Sequence, residues 1–354
     1  IVGLPNVGKS TLFTALTSNR APASNYPFCT IDPNVGVVEV YDHRLPALSA
    51  LSNSQKIVFA TMEFVDIAGL VEGASKGEGL GNQFLSNIRQ RDAIVHVVRC
   101  FASNDIIHVA GRIDPIHDIE IINLELHLTD LQMAENALQK VKKQAKTKKE
   151  LQPTVDALQK VLIGLNENKP VRSLELSEEE KEALALYPFL SQKKVLYVAN
   201  VSENELPSME NAWVQKVRAY AESEGNSLLA VCAKIEEEVA ELPPSDRPAF
   251  LQSLGLEESG LTRLIRSSFK MLGLITYLTT GEIETRAWTI REGTQAAEAA
   301  GVIHSDLEKG FIRAEVVRYE DMMAAKGRAQ AREKGKVRME GKHYVVQDGD
   351  VILF

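Results

Sequence analysis

The sequence predicts an α/β protein whose core is interrupted by a helical insertion and followed by a small β-rich module. Three observations carry this prediction. A glycine-rich octet, Gly3-Leu4-Pro5-Asn6-Val7-Gly8-Lys9-Ser10, stands directly before the amphipathic stretch STLFTALTSN. Apolar runs later in the chain, such as AIVHVVRCF and KKVLYVAN, read as strands buried on both faces. Between the strands at 93–101 and 194–199 lies a long segment with helical spacing, and the tail after residue 272 turns to short strands around one helix.

The octet fits G-x-x-x-x-G-K-[ST] without a mismatch. Glycines let such a loop wrap so that its backbone N–H groups meet phosphate oxygens, and the following helix adds the positive end of its dipole. Asn6, Val7, Gly8, Lys9, Ser10 and Thr11 are the expected phosphate-binding residues. Lys9 would set a cation against the β- and γ-phosphates, and the Ser10 hydroxyl would ligate Mg²⁺.

The remaining parts of a nucleotide switch follow in order. NYPFCTI offers Thr30, whose hydroxyl can reach the metal when a γ-phosphate is present. TMEFVDIAGL reads as a strand ending in Asp66, a supporting carboxylate for Mg²⁺, with Gly69 placed to donate its N–H to the γ-phosphate. KKVLYVANVSENEL ends a strand on Asn200-Val201-Ser202-Glu203, and NSLLAVCAKIEEE ends one on Cys232-Ala233-Lys234. Five strand-end sites in this order specify a P-loop NTPase of the Ras-like G-domain type far better than any one of them.

The set GLPNVGKST, NYPFCTI, DIAGLVEGASKGEGLGNQF, NVSE and CAK resembles the YchF/Obg-like ATPase family of Obg-related, translation-factor-class P-loop NTPases, and the resemblance runs along nearly the whole chain. It implies Mg²⁺ as cofactor, ATP as substrate and a ribosomal partner.

Typical GTPases carry N-K-x-D at the fourth site, where the aspartate accepts two hydrogen bonds from guanine. Here Val201 replaces the lysine and Glu203 the aspartate. Glutamate is one methylene longer and cannot keep the same bidentate geometry without moving the loop. The residues therefore oppose strict guanine selection without by themselves selecting adenine, and a degenerate guanine site is the alternative. The resemblance implies ATP preference, with Asn200 on the adenine edge, Val201 against the base, and Glu203, Cys232 and Ala233 completing the pocket. Cys232 could couple oxidation to binding; buried packing is its plainer role.

Leu70 occupies the position where many related proteins place a water-orienting glutamine. Either hydrolysis is slow, or another group serves, or the chain only binds. His108, in the loop after AIVHVVRCF, is the candidate catalytic group, since imidazole can position or deprotonate water near neutral pH. The resemblance implies a histidine here; a structural or surface role is the alternative. His96, inside the apolar strand, reads as core.

In the insertion, Leu151, Val155, Leu158, Leu162 and Leu165 alternate spacings of four and three, and Leu124, Leu131 and Leu138 repeat every seven. Both patterns are coiled-coil seams, which predicts an antiparallel helical hairpin. Lys140, Lys142, Lys143, Lys146, Lys148 and Lys149 cluster near its turn, suited to RNA phosphates or simply to a solvated tip. In the tail, Thr294 is the expected cap of a helix QAAEAAG, and the resemblance identifies the module as a β-grasp TGS domain with an RNA, ribosome or protein contact. The expected divisions are 1–112 with 190–272 for the G domain, 113–189 for the helical, coiled-coil insertion, and 273–354 for the TGS domain.

A net charge of −8 opposes non-specific coating of nucleic acid, and no DNA partner is expected. Cys29, Cys100 and Cys232 are odd in number and far apart, which suggests a reducing compartment, hence the cytoplasm. No apolar run has the length of a membrane span. A monomer is expected. Only Ile1 and Val2 precede Gly3, and the chain stops within the strand-like DGDVILF, so a few further residues are expected at each end.

Overall fold

The structure is a computed structural model that describes residues 1–18, 34–67, 80–102 and 113–354. Its contacts divide it into two compact units, one of residues 1–18 and 65–261 and one of residues 19–64 and 262–354.

The first unit is built on a parallel sheet. Strand Ala93–Arg99 pairs with Lys194–Asn200, which pairs with Ser227–Val231, all parallel. On the other side Val2 bridges His96, through Val2 N to Val95 O at 2.8 Å and Val97 N to Val2 O at 2.9 Å. Ile67 N then donates to Ile1 O at 3.2 Å. Six of the seven residues in each of the first two strands are buried, as the unbroken apolar runs require of strands covered on both faces. The order sets the carboxyl ends of these strands, and with them Asp66, Asn200 and Cys232, at one edge of the sheet.

The insertion forms the expected hairpin. Asp114 caps helix Pro115–Ala145 by accepting from His117 N, with Pro115 in the first turn, where its missing N–H costs nothing. A short connection leads into helix Gln152–Asn166. Ala134, Leu138 and Val141 meet Val155, Leu158, Val161 and Leu165, and Leu184 and Phe189 close the cluster. The expected heptad of Leu124, Leu131 and Leu138 holds only in its later members: Leu124 is 50% exposed. A straight helix drifts about 20° per heptad against a strict seven-residue repeat. Nearer its start, the helix also packs on strand Ala93–Arg99 and helix Ala212–Ser223, so its buried stripe there is Ile119, Ile122 and Leu126.

The second unit holds a six-stranded sheet in the order 338–340, 314–318, 350–353, 274–280, 284–291, 56–58. Strand 350–353 runs parallel to 274–280 and antiparallel to 314–318, with helix Ala296–Ile303 over one face, as a β-grasp module requires. Neighbouring residues point to opposite faces. Leu278, Val317 and Val351 meet Leu45, Leu48 and Met322 on one side, whereas Tyr277, Val316 and Ile352 meet Ala296 and Ala299 on the other. Two expectations change here. Gln295, not Thr294, precedes the helix, and no side chain caps it: Ala296 N and Ala297 N donate instead to the carbonyls of Tyr344 and Lys342. Residues 34–64, expected with the nucleotide-binding segment, group with the tail, because strand Lys56–Val58 pairs parallel with 284–291. Among the described residues, no helix is long and apolar enough to cross a membrane.

Candidate functional site

The phosphate loop leads from the bridge at Val2 into helix Lys9–Ser18. Asn6 takes a left-handed φ of 64°, which asparagine tolerates, and Gly8 a φ of 92°. At Gly8 space is also lacking, since a Cβ there would lie 2.1 Å from Asn200 Nδ2. The loop is thus pressed against a strand end almost two hundred residues away in sequence. The N–H groups of Lys9, Ser10 and Thr11 fall in the first helical turn, where the helix offers them no carbonyl partner and its dipole favours an anion. Lys9 is buried and its ammonium contacts Asp66 Oδ1, so the expected phosphate cation and the expected metal-supporting carboxylate share one spot. The Ser10 side chain is exposed at the mouth of the loop.

Asn200 laces the two halves of the site together. Its buried Nδ2 donates to Val7 O at 2.9 Å, and its Oδ1 accepts from Ala233 N at 2.9 Å. The bond to Val7 uses one of its two amide hydrogens. Val201 is buried and donates its N–H to Val231 O at 2.9 Å, which fixes the loop that follows. Glu203 opens a short helical turn, Glu203–Glu205, and its Oε2 accepts from Lys234 Nζ at 2.8 Å.

Residues 1–149 match the family described as "50S ribosome-binding GTPase", and residues 274–354 match the YchF-GTPase C-terminal family, described as a protein of unknown function. The "Ribosome-binding ATPase YchF" of Bacillus subtilis is 55% identical over 356 residues, covering 100% of this chain and 97% of that protein. The chain belongs to the YchF family. The YchF protein of Haemophilus influenzae, of the same name, is 53% identical over 355 residues, again covering 100% of this chain and 97% of the relative. Among solved structures, the "Schizosaccharomyces pombe YchF GTPase" superposes with a TM-score of 0.89 at 37% identity, covering 100% of this chain and 96% of that one. The names given to these YchF relatives differ on the base, ATPase for the bacterial proteins and GTPase for the yeast one.

In this YchF chain the sequence-predicted residues Asn6, Val7, Gly8, Lys9, Ser10, Thr11, Asp66, Asn200, Val201, Glu203, Cys232 and Ala233 fall within the described residues. Direct contacts join Lys9 to Asp66, Asn200 to Val7 and Ala233, and Val201 to Val231. Thr30, Gly69 and His108 lie outside the described residues, as does Leu70. Cys232 is buried and its thiol is pushed up by that burial, so it is a poor nucleophile and packs as an apolar residue. His96 lies within the sheet, where desolvation lowers its pKa to about 3 and keeps it neutral. Lys234 stands in the first turn of helix Ala233–Glu241, the end whose dipole repels cations, and that placement is its signal in the sequence.

Proposed function

We propose that this chain is a Mg²⁺-dependent ATPase whose switch segments couple nucleotide state to ribosome binding. The observation that carries this reading is the lacing of phosphate loop to base loop through Asn200, at a site where Glu203 and Val201 stand in place of the guanine-reading pair. The name "ribosome-binding ATPase" borne by full-length relatives supports the same conclusion.

Hard oxygen donors suit Mg²⁺, which takes one or two protein oxygens and otherwise phosphates and water. Ser10 and Asp66 supply such donors beside the loop, and Thr30 is the third ligand in this reading. When bound, the ion neutralises charge on the β- and γ-phosphates. Lys9 and the N–H groups of Asn6 to Thr11 hold the phosphates, and Gly69 reports the γ-phosphate through its N–H. His108 positions the attacking water in place of the glutamine that Leu70 lacks. Asn200 offers its remaining amide hydrogen to the adenine edge, and Val201, Glu203, Cys232 and Ala233 wall the base. The domain assignment by sequence is a G domain (1–112 and 190–272), a helical insertion (113–189) and a TGS tail (273–354), with residues 34–64 of the G-domain sequence packed into the sheet of the tail.

The ribosomal partner is met through RNA of the large subunit. Lys140, Lys142, Lys143, Lys146, Lys148 and Lys149 are all exposed at the hairpin turn, a local cationic tip on a chain of net charge −8. The protein works in the cytoplasm as a monomer. The test is binding and turnover of ATP and GTP with and without ribosomes. ATP is expected to bind more tightly and to be hydrolysed; GTP bound more than tenfold tighter would overturn the ATP assignment. Single-turnover hydrolysis separates the enzyme from a non-catalytic ATP sensor, the reading that Leu70 favours. His108→Ala is expected to cut turnover with little change in ATP affinity, and unchanged turnover removes His108 from the mechanism.

A further inference from the structure

We propose that Lys234 is a positioning residue that sets base selection by engaging the Glu203 carboxylate. This rests on the ATPase reading above and adds to it the group that keeps guanine out.

Lys234 Nζ lies 2.8 Å from Glu203 Oε2, and the two side chains span the two loops expected to hold the base. Those loops are already fixed to each other below the pair, where Asn200 Oδ1 accepts from Ala233 N. Glu203 follows the end of strand Lys194–Asn200, and Lys234 stands in the first turn of helix Ala233–Glu241. A cation at a helix N-terminus opposes the dipole. Glu203 supplies the compensating negative charge.

The chemistry follows from what each base offers. Guanine presents two donors on one edge, N1–H and the 2-amino group, and a carboxylate reads it by accepting both. Adenine presents an unprotonated N1 and no 2-amino group. In this structure one Glu203 oxygen accepts from an ammonium, and the negative charge that would draw guanine is neutralised. Lys234 thereby occupies one acceptor site of the carboxylate and offsets its charge, so guanine must compete with an ammonium for the pair it needs, and adenine loses nothing. Both side chains are largely solvated, so the expected effect is a change of selectivity of modest size and not a loss of binding.

The experiment is titration calorimetry of Mg-ATP and Mg-GTP on the full chain. It compares wild type, Lys234→Met, Lys234→Arg, Glu203→Gln and the Lys234→Met/Glu203→Gln double variant. Methionine keeps the apolar stem and removes the charge, so Lys234→Met is expected to raise the GTP-to-ATP affinity ratio about three- to fivefold. Lys234→Arg is expected to keep the wild-type ratio. In the Glu203→Gln background the same lysine change is expected to shift nothing, because the carboxylate it would release is gone. The proposal is overturned if Lys234→Met leaves the ratio within about twofold of wild type, or weakens both nucleotides equally, either of which assigns Lys234 to packing. A shift that persists in the Glu203→Gln background overturns it as well. A wild type that prefers GTP overturns the ATPase reading, while the change in ratio still decides the role of Lys234.

Discussion

At Asn200 a single buried amide satisfies the carbonyl of Val7 and the N–H of Ala233. Removing it leaves both unpaired, and an unsatisfied buried polar group costs about 1–3 kcal/mol. Asn200→Ala is therefore expected to lower ATP affinity about tenfold to a hundredfold and to lower the melting temperature. Asn200→Asp is expected to do no better, since it sets a carboxylate oxygen against the Val7 carbonyl. Both changes are expected to weaken ATP and GTP alike, unlike the selectivity shift argued for Lys234. Calorimetry decides the matter: wild-type ATP affinity in Asn200→Ala would remove the lacing from the binding site. Much of this site was legible in the sequence, since the octet pointed to Gly8 and Lys9 and the strand-end motif pointed to Asn200. The lacing was not legible. It joins residues 193 positions apart, and no local spacing encodes which carbonyl an amide will find.

The inserted helix Pro115–Ala145 shows the same division at the level of an element. Its existence and its partner helix follow from local pattern. The face it buries does not, because Leu124 belongs to a heptad in sequence and to the surface in space. What anchors the helix is polar. Asp130 is completely buried and accepts from Leu190 N at 2.8 Å, Ser191 N at 2.7 Å and Ser191 Oγ at 2.6 Å. That one carboxylate ties the hairpin to the chain entering strand Lys194–Asn200. Asp130→Ala strands two backbone N–H groups and a hydroxyl, and the expected loss is about 3 kcal/mol in urea denaturation. Hydrogen exchange is expected to quicken first at residues 190–192. A loss below about 0.5 kcal/mol would mean that the apolar cluster of Leu138, Leu158 and Phe189 holds the hairpin without the carboxylate.

At the scale of the whole molecule the decisive feature is that its second unit is assembled from two distant stretches of chain. Helix Arg44–Ser52 buries Leu45 and Leu48 against Leu278, Ala287 and Val351, and strand Lys56–Val58 adds to the edge at 284–291. Arg44 links the stretches by charge, pairing with Asp42 at 2.7 Å and Asp348 at 2.8 Å and donating to Thr276 Oγ1 at 3.2 Å. Composition marks the tail as a separate module, but parallel pairing across more than two hundred residues leaves no periodic trace in either strand. The consequence is that the tail is not a removable appendage. Fully burying a leucine contributes about 1.5–3 kcal/mol, so cutting the chain after residue 272 exposes enough apolar surface at Leu45, Leu48 and Ala60 to cost several kcal/mol. A 1–272 fragment is expected to be cleaved rapidly within 34–64 under limited proteolysis, whereas the full chain is protected there. It is also expected to bind an apolar dye that the full chain ignores. If the fragment instead protects 34–64 as well as the full chain does, that segment draws its stability from elsewhere, and the shared sheet is a consequence of the fold and not a condition for it.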